Sequence, residues 1–125
     1  MGDDMRSRFD RQLSLLNRKM TEMGGECESI IASAVKALLA GSTDDARRAR
    51  EQGHRIDQLE REIESICLKL LLQQQPVARD LRVISAALKM ITDMERIGDH
   101  AVNIAEWVQF SVTGEHKSGE LLPQK

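Results

Sequence analysis

At 125 residues and a formal net charge of −2, the chain suits one domain and has no electrostatic drive toward nucleic acid. Its only aromatic residues are Phe9, Trp107 and Phe110, too few to stack bases on. Hydrophobic residues make up 41% and charged ones 30%, the balance of a folded globular domain, and no stretch reaches the roughly 20 apolar residues that a membrane span needs.

The start, Met1 to Arg6, lacks the hydrophobic region of a signal peptide, so a cytoplasmic protein is expected. Cys27 and Cys67 each lie within an apolar helical stripe without CxxC spacing, which reads as two buried free thiols in a reducing compartment.

From Phe9 the apolar positions run Leu13, Leu16, Met20, Met23, Cys27, Ile30, Ala34 and Ala37, stepping alternately by four and three. That rhythm predicts one long helix with a coiled-coil-like seam. Gly41 is placed to end it in the left-handed conformation, and Ser42 or Thr43 to cap the next helix, whose first turn carries Asp44 and Asp45. So short a link makes the first two helices antiparallel neighbours.

The second helix shows Ala46, Ala49, Ile56, Leu59, Ile63, Ile66 and Leu70, with Gly53 a weak point in its first half. Pro76 is expected to stop it near Gln73 to Gln75 and to serve as the first residue of the third helix.

The third helix carries two apolar stripes. One is Leu81, Ile84, Leu88 and Ile91, continued by Glu95, Gly98, Val102 and Ala105; the other runs from Val83 through Ala87, Met90, Met94, Ile97, Ala101 and Ile104 to Val108. Two stripes imply contact on two sides, one within the bundle and one with a second bundle or subunit. The fold class derived is all-α, an antiparallel three-helix bundle with long helices at about 9–40, 43–74 and 76–113, an N-terminal tail at 1–8 and a polar tail or linker start at 114–125.

Glu95 interrupts the first stripe where the pattern assigns a core position, and Asp99 lies one turn further on the same side. A carboxylate partly withdrawn from water must meet a cation or a metal, or take up a proton. Pairing helices two and three about the turn near Gln75 brings Asp57 level with Met94 and Glu95, and His54 level with Ile97; reflecting helix one about Ser42 puts Glu26 near the level of Asp57. Oxygen ligands from two helix faces suit hard or borderline cations. The bland alternative is a solvated face on which Glu95 meets Arg96, Lys89 or Arg55. His100 reads as a surface residue, and Asn103 and Glu106 as the solvated edge of the polar line.

Four stretches, Gln75-Pro76-Val77-Ala78-Arg79-Asp80-Leu81-Arg82, Glu95-Arg96-Ile97-Gly98-Asp99-His100-Ala101, Ile56-Asp57-Gln58-Leu59-Glu60, and Arg8-Phe9-Asp10 followed by Leu13, stand in this chain. Together they resemble the PhoU family of bacterial phosphate-signalling regulators. The resemblance implies a pair of three-helix bundles with an E/D-x-x-x-D signature able to hold metal ions. Carried onto this chain it makes Glu95 and Asp99 metal ligands, with Asp57 matching an acidic position on helix two. The ion implied is divalent or trivalent: iron, zinc, manganese or magnesium. Where family members often carry acidic residues, this chain has Gly53-His54, and it has one bundle where they usually have two. A homodimer would replace the missing half; the other reading is a fragment of a longer chain.

The resemblance further implies a non-enzymatic regulator that links a phosphate ABC transporter to a sensor histidine kinase, and reaches the membrane only through these partners. The residues themselves give no independent case for catalysis: there is no Gly-rich phosphate loop and no Ser/His/Asp or Cys/His arrangement at motif spacing. A di-metal carboxylate enzyme or storage bundle needs Glu-x-x-His pairs on two helices, which this chain does not supply. A bundle that only binds metal, or only dimerises, with no phosphate role is the alternative.

Overall fold

The seam from Phe9 to Ala37 closes as the spacing predicts: Phe9, Leu16, Met23, Cys27, Ile30, Ala34 and Ala37 are buried, with Leu13 and Met20 packed against them. They belong to α1, Gly2–Ala40, in a computed structural model whose described residues are 2–73 and 76–114. Helix α2 follows as Thr43–Gln73 and α3 as Ala78–Thr113. Each helix packs on both others, so the core lies along the shared axis of a three-helix bundle, and the described residues contain no strand. None of these helices is long and apolar enough to cross a membrane.

The α1–α2 corner is built by two residues. Gly41 takes φ 64°, a left-handed conformation open to glycine at little cost, and the Ser42 N–H reaches the Ala37 carbonyl at 3.2 Å. The Ser42 hydroxyl then accepts the Asp45 N–H at 3.1 Å, capping α2. At the far end of α3, Gly114 is again left-handed, with φ 78°.

Three expectations shift. Helix α1 begins at Gly2, so residues 2–8 are helical instead of forming a tail. Arg6 in that extra turn stacks over the Phe9 ring, 4.8 Å from its centroid, and donates to Asp80 at 3.1 Å. Helix α3 begins after Val77 and not at Pro76, because buried Asp80 accepts the Val77 N–H at 3.3 Å and so fixes the helix entry one turn upstream of itself. The Arg6 guanidinium holds the Asp80 carboxyl below its ordinary range. The expected end of α2 at residue 74, the turn at Gln75 and the tail at 115–125 lie outside the described residues.

The third shift concerns α3. Its core line is Ile84, Ala87, Ile91, Gly98, Ala101, Ala105 and Val108, which takes members from both expected stripes. Leu81 is exposed, Glu95 stands one position off the core line and is half-buried, and Val83, Met90, Ile97 and Ile104 face outward. The bundle axis thus falls between the two stripes, each of which is half covered by a neighbouring helix. Cys27 and Cys67 are buried free thiols, and burial raises both their pKa values. Cys27 also donates to the Met94 carbonyl at 3.5 Å.

Candidate metal centre

Two glycines let α2 and α3 approach closely. A Cβ placed on Gly98 would stand 3.2 and 3.3 Å from Cδ1 and Cγ2 of Ile56, and one on Gly53 would stand 2.5 Å from Cγ2 of Val102. Ile56 therefore rests on the bare backbone of Gly98. Asp57 follows Ile56 in the chain, while Glu95 and Asp99 flank Gly98, so this contact brings the three carboxylates together. One oxygen from each of Asp57, Glu95 and Asp99 lies within 4.8 Å of the others. Asp57 and Glu95 are half-buried and Asp99 is exposed.

Two oxygens bound to one cation at roughly 2.0–2.6 Å each stand no more than about 4–5 Å apart, so the cluster fits a metal ion. Three carboxylate oxygens with room for water suit magnesium or manganese best. Beside the cluster opens a cleft of about 370 Å³ lined by Arg50, Gly53, His54, Asp57, Asp99, Val102, Asn103 and Glu106. His54 thus borders the site and would offer an imidazole to a softer ion. Asn103 and Glu106, read as a solvated edge, form the cleft wall on α3.

Glu26 is not brought into the cluster, which among the described residues draws on α2 and α3 alone. Nor does Arg55 neutralise Glu95: its guanidinium pairs with Glu22 of α1. His100 is exposed on the other side of α3, beside Ile31 and Ile97. The sole Glu-x-x-His spacing, Glu51 to His54, stands on α2 with Glu51 exposed. Glu60, one turn beyond Asp57, was not singled out by the sequence reading although its i,i+3 spacing from Asp57 was a usable signal. Burial raises its pKa first, then the charges of Glu64, Asp57 and Asp99.

Crowding is greatest at Glu95. Burial, the hydrogen bond with Asp99 and the charges of Asp99, Glu60 and Asp57 push its carboxyl up to about 7. A carboxyl raised in the folded state stabilises the fold fully below its unfolded value near 4.5, and that contribution is lost as pH climbs through about 7. In chelator-treated protein, Glu95→Gln is therefore expected to melt a few degrees above wild type at pH 8, with the gap closing near pH 4.5. Thermal melts of both proteins across that range check it, and equal melting temperatures at pH 8 would refute the crowding.

A model of the PhoU domain matches residues 20–108, a span that includes all three carboxylates. The chain belongs to the PhoU family. It is 37% identical over 112 residues to the phosphate-specific transport system accessory protein PhoU homolog of Pseudomonas putida, covering 89% of this chain and 44% of that protein. For the Pseudomonas aeruginosa homolog the figures are 36% identity, 89% and 46%, and for that of a Burkholderia species 38%, 82% and 44%. The chain thus spans less than half the length of these PhoU relatives. No solved structure matches it.

Proposed function

We propose that this PhoU-family chain is a non-enzymatic, cytoplasmic regulator of phosphate uptake and phosphate-starvation signalling. It acts by contact with a phosphate ABC transporter and a sensor histidine kinase, and two copies work together as a homodimer. The observation that carries the phosphate role is the match over residues 20–108 to a family whose relatives are named as accessory proteins of phosphate-specific transport. A metal ion on Asp57, Glu95 and Asp99 modulates these contacts by neutralising most of the negative charge of the α2–α3 face. Support for that role comes from the cluster of three carboxylates, none of which has a salt-bridge partner among the described residues, Arg55 being paired with Glu22.

Deleting the gene is expected to leave phosphate-uptake genes expressed when phosphate is plentiful, with repression restored by the wild-type chain. Transcript measurement in phosphate-replete medium tests this. Normal repression in the deletion strain would sink the phosphate role and leave a metal-binding or dimerising module.

A further inference from the structure

The line of oxygen donors on α3 runs past Glu95 and Asp99 to Asn103, and the facing edge of α2 does not stop at Asp57. His54 stands one turn before Asp57, an i,i+3 spacing that puts both side chains on one flank of the helix. Gly53 faces Val102 and Gly98 faces Ile56, and these two contacts set the register of the antiparallel pair. In that register Asp57 lies between the levels of Glu95 and Asp99, and His54 between those of Asp99 and Asn103. The cleft beside the cluster is lined by His54, Asp57, Asp99 and Asn103 but not by Glu95.

Asp57 and Asp99 therefore belong to two overlapping donor sets. Toward the α2–α3 turn they meet Glu95, and all three offer oxygen. Toward the other end they share the cleft with His54. The imidazole lies outside the group of three oxygens in this structure. It is exposed and makes no hydrogen bond or ion pair among the described residues, so it can turn to another staggered rotamer without breaking a polar contact. The two sets differ in chemistry. Carboxylates and water suit magnesium and manganese, whereas imidazole suits zinc. One imidazole, two carboxylates and a water make the four-coordinate shell that zinc takes.

We infer that His54 is a metal ligand and that the class of ion decides which set is used: manganese or magnesium sits on Asp57, Glu95 and Asp99, and zinc on His54, Asp57 and Asp99. The inference rests on the metal role proposed above and adds a residue that sets its ion preference. With zinc bound, Glu95 stays unligated; with manganese bound, His54 does.

Titration calorimetry of the chelator-treated 125-residue chain with zinc and with manganese tests this, beside two single variants whose fold is checked by circular dichroism. Loss of an outer-shell partner already costs roughly tenfold or more in metal affinity, and loss of a ligand should cost no less. His54→Ala is therefore expected to weaken zinc about tenfold or more and manganese by less than about twofold, and Glu95→Gln the reverse. In a magnetic-resonance spectrum of the imidazole nitrogens, zinc should move the His54 signals and leave those of His100 and His116 in place. Either variant weakening both ions alike, or zinc binding that leaves the His54 nitrogens unmoved, overturns the inference and leaves the three-carboxylate site standing. A wild-type chain that takes up neither ion overturns that site and the inference together.

Discussion

Saturating manganese or magnesium added to chelator-treated protein at pH 8 is expected to raise its melting temperature, and to do nothing for Glu95→Ala/Asp99→Ala. An ion at one hundred times its dissociation constant adds about 2.7 kcal/mol, on the order of 10 °C for a domain of this size. The carboxylates have to be ionised to bind it, and Glu95 holds its proton up to about 7, so the shift should shrink steadily below neutrality. A misfolded variant would also fail to respond, but the metal-free state separates the two cases. Removing two crowded carboxylates relieves repulsion, so the double variant should melt at or above metal-free wild type at pH 8. If wild type and double variant hold the same negligible metal after exposure to iron, zinc, manganese and magnesium, the three carboxylates are a solvated acidic face and no more.

The meeting of the three carboxylates could be read from the sequence because helix register is a local calculation. A break in the apolar rhythm marked Glu95, the i,i+4 step added Asp99, and counting back from the α2–α3 turn gave Asp57. All three meet across the helices. The position of the core line on α3 was misread for an equally physical reason. When two stripes run along one helix, the pattern does not say which is buried, and here the bundle axis falls between them. Asp80 was beyond reach altogether, since its burial depends on Arg6, 74 residues earlier in a turn read as tail. The apolar groove between α1 and α3 was half legible: Ile97 and Ile104 belong to the second stripe, but Ile31, Val35 and Leu38 lie beside the α1 seam in a four-three run too short to predict a second face.

Gly53 and Gly98 decide how the pieces of the site hold together, and a methyl on each should have distinct effects. Replacing a mid-helix glycine by alanine ordinarily gains about 0.5–1 kcal/mol. That gain is expected for Gly24→Ala, where a Cβ would meet nothing within 4 Å. At Gly53 the new Cβ would press to 2.5 Å of Val102 Cγ2, on a β-branched side chain with one preferred rotamer in a helix. Overpacking of that kind costs about 1–3 kcal/mol, so Gly53→Ala should lose about 1–2 kcal/mol net, roughly 4–8 °C of melting temperature. At Gly98 the contacts are looser, at 3.2 and 3.3 Å, and the helix gain nearly offsets them, so stability should hardly move. The methyl nevertheless pushes against Cγ2 of Ile56, which cannot swing aside, and α2 must retreat by a few tenths of an ångström with Asp57 on it. Gly98→Ala is therefore expected to weaken manganese binding several-fold while keeping every carboxylate and nearly the wild-type melting temperature. Titration calorimetry beside a thermal melt reads the two quantities separately; unchanged affinity would mean that the close contact of Ile56 with Gly98 does not set the spacing of the cluster.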